Sequence, residues 1–149
     1  MTTMLEKITE AWTKAWGEGD TTAFERLVAP EYERTSKTGA EGLAQVVQQI
    51  EESHRAFGDF HVTVLRAIED HNLVAIHWET EGKHTGEFMG VPPTGRTVTV
   101  QGASFISHHD GLITNEAVVW DPREMLSSMS IWHLGDQRST RRKSETNAH

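Results

Sequence analysis

The sequence predicts an α+β fold in which a curved antiparallel sheet packs on N-terminal helices. Apolar residues recur at helical spacing up to about residue 57, and beyond that point they alternate with polar residues at the period of a β-strand. Turn residues divide the second half into consecutive strands, because Pro92-Pro93-Thr94-Gly95 and Asp110-Gly111 both favour tight reversals of the chain. Helices in the concavity of such a bent sheet would leave a cavity at its open end.

Three helices are predicted in the first half of the chain. The first covers residues 4–17, where apolar residues form one helical face and glycines follow. The second covers residues 21–29 and ends before Pro30. The third and longest covers residues 40–57 and has an apolar inner stripe. That stripe consists of Leu43, Val46, Val47, Ile50, His54 and Phe57.

Four strands and a short helix are predicted in the second half. The strands are residues 60–64, 73–84, 96–107 and 112–120. Pro122 is expected to begin a helix that ends near Ser130, since proline is favoured in the first helical turn. A further short strand is predicted near residues 32–35.

Composition indicates one globular domain. The chain has 149 residues, of which 36% are hydrophobic and 24% charged, and its formal charge is −8. That charge disfavours nucleic acid and anionic membranes as partners, because both are polyanions. The absence of cysteine excludes disulfides and thiolate zinc sites, and no signal peptide or transmembrane run is recognised. We expect one domain over residues 1–134, a disordered basic tail over residues 135–149, and a cytoplasmic location.

Asp121 is the strongest catalytic candidate, and two readings of it stay open. It follows the last strand in phase with Ile113 and Val119, so its carboxylate would enter an apolar pocket if that face lines the sheet's interior. Desolvation would then raise its pKa and make it a proton acceptor near neutral pH. Alternatively, Asp121 is the N-cap of a helix that begins at Pro122, which would lower its pKa.

Histidines and tryptophans are the other candidates for a site. His54 lies on the inner stripe of the long helix, where a satisfied core histidine is the alternative to a functional one. His77 and Glu79 share one strand face, but His84 has the opposite parity, so no metal site is expected. Trp120 precedes Asp121 and would shape the mouth of a pocket. The glycines match neither a dinucleotide fingerprint nor a P-loop, so no bound nucleotide is expected.

Four motifs carry a family resemblance. They are Gly82-x-His84-x-Gly86, Met89-Gly90-Val91-Pro92-Pro93-Thr94, Asp110-Gly111-x-Ile113, and the acid at position 121. Together they resemble the SnoaL-like polyketide cyclase family, over residues 4–131. The resemblance implies a cone-shaped α+β barrel of the NTF2-like (nuclear transport factor 2) superfamily. It also implies that Asp121 serves as acid and base in an intramolecular aldol closure.

The chain departs from the cyclase pattern at three polar positions. Arg34 stands where the cyclases carry asparagine, and Gly102 and Ser104 stand where they carry glutamine and histidine. Serine cannot take up a proton at neutral pH, although its hydroxyl can bind a substrate. The sequence therefore looks more like members that take part in hydroxylating anthracycline-type polyketides without a tightly bound metal or flavin.

The resulting hypothesis is a tailoring enzyme of aromatic polyketide biosynthesis. Asp121 would deprotonate a phenolic or enolisable polycycle, and Ser104 and Arg34 would position the anion. Trp120 and His54 would help to bind the substrate. The anion would react with oxygen, after reduction by a separate reductase. A homodimer is expected, because the exposed sheet face of such folds is commonly buried against a second subunit. No tightly bound cofactor is expected.

Three alternatives remain open. A polyketide ester cyclase would close a ring without consuming oxygen. A non-catalytic ligand-binding or dimerisation module would use Asp121 only as a helix cap. An epoxide hydrolase would require a second acid and a base around a water molecule, for which the sequence offers no convincing set.

Overall fold

Four α-helices and six strands make up residues 2–129, the part of the chain described by the computed structural model. The helical segments are α1 (Met4–Thr13), a π-helical turn (Lys14–Glu18), α2 (Thr22–Leu27), α3 (Leu43–Ala56) and α4 (Pro122–Ser128). The strands are β1 (Val28–Ser36), β2 (Gly39–Glu41), β3 (Phe57–Asp70), β4 (Leu73–His84), β5 (Thr97–His109) and β6 (Leu112–Trp120). The helices pack on a curved sheet, so the predicted α+β class is confirmed.

The first helix starts with a capping box and ends in a π-helical turn. The backbone N–H of Glu6 donates to Oγ1 of Thr3 at 3.1 Å, and the N–H of Thr3 donates to the Glu6 carboxylate at 3.3 Å. After Thr13 the helix widens, and Gly19 closes it at a φ of 78°, which glycine adopts without strain. The widened turn carries Trp16, which lines the cavity described below.

The sheet has the strand order β2-β1-β6-β5-β4-β3. All neighbouring pairs are antiparallel except β1 and β6, which run parallel. The predicted strand near residues 32–35 is longer in the structure and begins at Val28, so the second helix ends earlier than expected. Pro30 is tolerated because the β1–β6 register breaks between Val28 and Glu33, where no ladder hydrogen bond is required of it.

A bulge in β6 decides which of its side chains face inward. Ser107 of β5 pairs with Asn115, and His108 pairs with Ile113, so Thr114 is an extra residue on β6. A one-residue insertion moves the following side chains to the opposite face. Glu116 and Val118 are therefore buried, whereas 63% of the Val119 side chain is exposed. The predicted inward phase of Asp121 with Ile113 and Val119 is wrong for this reason.

The core lies between the inner face of the sheet and helices α1 and α3. Ile8, Val46, Ile50 and Ile106 are fully buried there. The predicted apolar stripe of α3 is only partly confirmed, since Val47 is half-buried and His54 packs at the edge of the core. None of the helices within residues 2–129 is long and apolar enough to span a membrane. The predicted tail, residues 135–149, lies outside the described residues.

Candidate functional site

A cavity of about 580 Å³ opens between the sheet and helices α1 and α3. Among residues 2–129, seven aromatic side chains contribute to its wall, and four of them are Trp12, Trp16, Trp78 and Trp120. A polar side faces them, and its charged members are Arg34, Glu41, Glu52, Arg55 and Glu87. The volume suits a small organic ligand, and the aromatic wall favours a flat one.

Arg34 presents a guanidinium to this cavity from β1. Its Nη1 donates to Oε1 of Gln49 on α3 at 3.2 Å, and its Cζ lies 5.0 Å from the centre of the Trp16 ring. Gln49 in turn donates to the carboxylate of Glu41. These contacts hold the charged group in place, while only 13% of the Arg34 side chain is exposed. Within residues 2–129 the guanidinium makes this single hydrogen bond, so further N–H donors remain for a ligand oxygen.

A fully buried carboxylate lies behind Arg34. Glu116 of β6 accepts a hydrogen bond from Nε1 of Trp12 at 3.1 Å and another from the hydroxyl of Tyr32 at 3.3 Å. Its Oε2 is 3.8 Å from Nε of Arg34. Burial, and secondly the charge of Glu116, raise the pKa of Tyr32 far above its usual value, so its hydroxyl stays a donor.

Sequence reasoning missed Glu116 because the bulge at Thr114 reverses the expected phase of β6. The sequence did offer one signal, namely an acid between Ile113 and Val118 in an apolar strand. Acids are rarely buried unless they are paired, so an acid in such a strand is a candidate for a paired, buried position. The alternation of residues along a strand predicts which face each side chain occupies only as far as the first bulge.

Trp78 packs over Gly102 and Ser104, two small residues of β5. Its indole covers Gly102, its neighbour on β5, and its Nε1 donates to Oγ of Ser104 at 3.1 Å. Ser104 is fully buried under this ring and does not line the cavity. The small residues at positions 102 and 104 thus make room for an indole, and the wall there is aromatic instead of polar.

The close approach of Trp78 to Gly102 predicts an effect of substitution. A Cβ at position 102 would lie 2.5 Å from Cη2 of Trp78 and 2.9 Å from the carbonyl oxygen of Val119. We expect Gly102→Ala to lower the free energy of unfolding by about 1–3 kcal/mol, as overpacking does. Denaturant unfolding measures this, with Gly17→Ala as control because a Cβ there meets Val62 at an ordinary contact distance of 3.6 Å. Equal stability of the two variants would contradict the tight packing.

The remaining predicted binding residues fall in different places. Trp120 lines the cavity at the end of β6. His54 does not line it, and instead its Nε2 lies 2.8 Å from the carbonyl oxygen of Trp16, with Phe60 5.1 Å away in edge contact. This histidine holds the π-helical turn against α3, and so acts on the cavity through Trp16.

Asp121 is an exposed helix cap in this structure. Its Oδ1 accepts from the backbone N–H of Arg123 at 2.9 Å, and its Oδ2 forms an ion pair with that guanidinium at 3.1 Å. These bonds hold the pKa of Asp121 below its usual value. Of the two alternatives that the sequence left open, the structure shows the helix cap with a lowered pKa, and burial in an apolar pocket with a raised pKa is wrong. A role in proton transfer stays a prediction, since its neighbours Trp120 and Met125 both line the cavity.

His84 anchors the loop that closes one side of the cavity. This loop, residues 85–96, contributes Phe88 and Met89 to the wall. The backbone N–H of Thr94 donates to Nδ1 of His84 at 3.2 Å, and the His84 backbone pairs with Gly95 and Arg96. A backbone N–H can only donate, so Nδ1 is an acceptor and His84 is neutral.

This arrangement predicts a loss of stability in acid. Burial lowers the pKa of His84, whereas in the unfolded chain a histidine titrates near about 6.5. Below that pH the unfolded state binds more protons, so the free energy of unfolding should fall as the pH drops from about 6.5 towards the lower folded-state pKa. Unfolding curves between pH 7.5 and 5 test this. His84→Gln should flatten the dependence, whereas His109→Gln, at an exposed site, should keep it.

No group of three or more His, Cys, Asp or Glu side chains within residues 2–129 is arranged to hold a metal ion. His77 and Glu79 lie on the outer face of β4, and His84 lies on the inner face. His108 is buried, and its Nε2 lies 3.1 Å from Oε2 of Glu69. The absence of a metal from the chemistry stays a prediction.

Comparison with known proteins identifies the family. The sequence profile described as SnoaL-like polyketide cyclase matches residues 6–128. No curated protein matches the chain in sequence. Because the profile spans most of the chain, the resemblance seen in the four motifs is confirmed.

Solved structures share the fold. AclR, a candidate hydroxylase from Streptomyces galilaeus, is 25% identical with a TM-score of 0.76, and the match covers 86% of this chain and 98% of AclR. TsrD from Streptomyces laurentii is 18% identical with a TM-score of 0.76, covering 85% and 94%. IdmH, a candidate polyketide cyclase from Streptomyces antibioticus, is 24% identical with a TM-score of 0.72, covering 83% and 96%. The last two show the fold alone. The predicted NTF2-like, cone-shaped α+β barrel is confirmed.

Proposed function

Because this chain belongs to the SnoaL-like polyketide cyclase family, we propose that it is a tailoring enzyme that binds an aromatic, anthracycline-type polyketide and takes part in hydroxylating it. The observation that carries this proposal is the aromatic-walled cavity with the Arg34 guanidinium on its surface. A flat polycycle can stack on the indoles while one ionised oxygen meets Arg34.

Arg34 favours an ionised ligand for an electrostatic reason. An opposite charge within hydrogen-bond distance lowers the pKa of a phenol or enol, and the effect grows where water is excluded. The guanidinium is largely buried and keeps free donors towards the cavity. Bound beside it, a phenolic polycycle would lose its proton more readily than in water and become electron-rich.

Asp121 is our candidate for the acceptor of that proton. Asp121 does not line the cavity itself, but in the chain it lies between Trp120 and Met125, which both do. The low pKa of Asp121 makes it a weak base, so the transfer is favourable only if the substrate is acidified. In this proposal Arg34 supplies the acidification, and Asp121 must leave its ion pair with Arg123 to receive the proton.

Hydroxylation also needs an oxidant and two electrons. In the proposed reaction a nicotinamide-dependent reductase first reduces the polycycle, and the resulting anion attacks dioxygen to form a carbon–oxygen bond. The oxygen–oxygen bond of the hydroperoxide then breaks, one atom stays as the hydroxyl, and the other leaves as water. The carbon loses its hydrogen as a proton. Structural similarity to AclR at 25% identity favours this reaction, and no tightly bound cofactor is part of it.

Ring closure of a polyketide ester is the second candidate, and the family profile itself favours it. Both reactions begin with an enolate or phenolate beside Arg34. They differ in the product, since an aldol closure incorporates no oxygen from dioxygen.

Mass spectrometry separates these functions. An anthracycline-type intermediate is incubated with the protein, NADPH and a reductase under heavy oxygen gas. One labelled oxygen in the product supports hydroxylation. A new ring without label supports the cyclase, and an unchanged substrate that nonetheless binds supports a ligand-binding module.

We further propose a homodimer that forms through the outer face of the sheet. Phe105 and Val119 are exposed there, and their strand neighbours include Ala75, Ala103 and Ala117. Such an apolar patch favours a protein contact. A cytoplasmic location is proposed as well, because a cysteine-free chain suits a reducing compartment.

The dimer predicts a change in mass on charging this face. We expect Val119→Glu to convert the protein to a monomer in sedimentation equilibrium, because the dimer would bury two new carboxylates without partners. Leu65→Glu, at an exposed position of β3, serves as the control. A wild-type monomer at micromolar concentration would contradict the proposal.

A further inference from the structure

Among residues 2–129, Glu116 is the one fully buried carboxylate, and the proposed chemistry gives it no role. It is fully buried on β6 and does not line the cavity. Any influence on a ligand must therefore pass through a neighbouring side chain. Burying a carboxylate is costly unless it is paired and hydrogen-bonded, so its partners indicate what it does.

The partners of Glu116 come from two elements, α1 and β1. Trp12 of α1 and Tyr32 of β1 each donate one hydrogen bond to it, and Arg34 of β1 contributes the charge. Trp12 also forms part of the cavity wall, so the carboxylate is fixed directly behind that wall. The 3.8 Å separation between Nε of Arg34 and Oε2 is an ion pair without a hydrogen bond.

Arg34 thus stands between Glu116 and the cavity. Gln49 and Trp16 hold the guanidinium on its other sides. Its positive charge is shared between a permanent partner, Glu116, and whatever occupies the cavity. Within the described wall the acids Glu41, Glu52 and Glu87 also outnumber the bases Arg34 and Arg55.

From this placement we infer that Glu116 is the counter-charge that limits how strongly Arg34 attracts a negative ligand, so that the site selects weakly acidic phenols or enols over permanently charged anions. This inference rests on the proposed function. A neutral phenol enters without losing an ionic hydration shell and ionises beside the guanidinium. A sulfonate or carboxylate must lose its hydration on entry and meets a guanidinium that is already paired.

Two commercial anthraquinones test the inference. 2-Hydroxyanthraquinone reports its ionisation by visible absorbance, and anthraquinone-2-sulfonate is the permanent anion of similar shape. In Glu116→Gln, which retains a hydrogen-bonding side chain of the same shape, we expect the pKa of the bound phenol to fall by about one unit. We expect the sulfonate to bind about tenfold more tightly than to the wild type. An unchanged or raised phenol pKa together with unchanged sulfonate affinity would overturn the inference.

A measurement on the unmodified protein covers the case in which Glu116→Gln does not fold. The wild type should bind the phenol at least about tenfold more tightly than the sulfonate, the shift expected from one pK unit of interaction. Tighter binding of the sulfonate would overturn the inference.

The failure of this inference is distinguishable from failure of the proposed function. If neither compound binds with saturation, the proposed function fails and the inference fails with it. If the wild type lowers the phenol pKa, Arg34→Gln abolishes the shift, and Glu116→Gln leaves it unchanged, the proposed function stands and the counter-charge role is wrong.

Discussion

Replacing Arg34 with glutamine should reduce turnover of an aromatic polyketide about 100-fold, the loss typical of removing one group that stabilises a developing anion. Glutamine keeps a hydrogen-bonding side chain but removes the charge that favours the ionised substrate. The loss should appear mainly in kcat/KM and should shrink at higher pH, where the substrate ionises without help. Steady-state kinetics between pH 6 and 9 measure both effects.

Two variants control this experiment. Arg66→Gln makes the same chemical change on an exposed part of β3 and should leave turnover intact. Arg34→Lys keeps the charge but loses the planar fork that contacts Gln49 and Trp16, so it should fall between wild type and Arg34→Gln. Full activity of folded Arg34→Gln would show that the guanidinium does not stabilise the reacting anion.

Asp121 is expected to be needed for turnover and for the start of α4, and two substitutions separate these roles. Serine is also a good N-cap, so Asp121→Ser should retain the unfolding midpoint while reducing turnover by about 100-fold or more, the range of general base catalysis. Alanine cannot accept the bond from the Arg123 N–H, so Asp121→Ala should lower both turnover and the unfolding midpoint. Activity assays and thermal unfolding measure the two effects on the same samples.

The exposed position of Asp121 allows the two roles to be distinguished clearly. Its carboxylate is bonded to Arg123 and its pKa is lowered, which is what a cap alone would require. If Asp121→Ser is fully active, the residue is only a helix cap. Arg123→Gln is a useful companion, because releasing the carboxylate from its ion pair should raise turnover if that release limits the reaction.

The class of the fold follows from the sequence, because hydrophobic period and turn chemistry are local properties. Predicted boundaries for β4 and β6 match the structure, and β5 differs by one residue at its start and two at its end. The prediction omits β2, which has only three residues, and most of β1, whose pattern is interrupted at Pro30. Both strands are held by tertiary pairing more than by their own sequence.

The candidate site was less predictable, since its geometry depends on how strands pair. Arg34 and Trp120 line the cavity, whereas Ser104 lies beneath Trp78. The contact between Trp78 and Gly102 depends on how β4 pairs with β5, and that register cannot be read from either strand's sequence alone. Likewise, the extra residue at Thr114 turns Glu116 to the inner face of β6 and turns its neighbours in the strand to the outer face.

The binding of an aromatic anion against Arg34 can be measured with a matched pair of ligands. In the described part of the chain four tryptophans line the cavity, so quenching of tryptophan fluorescence reports its occupation. The pair is 2-hydroxyanthraquinone and its methyl ether, titrated into wild type and Arg34→Gln above the phenol's pKa. We expect both ligands to bind with saturation in both proteins, and we expect Arg34→Gln to weaken binding of the ionised phenol about tenfold or more while leaving that of the ether unchanged. Equal affinities in both proteins, or no saturable quenching, would contradict this expectation.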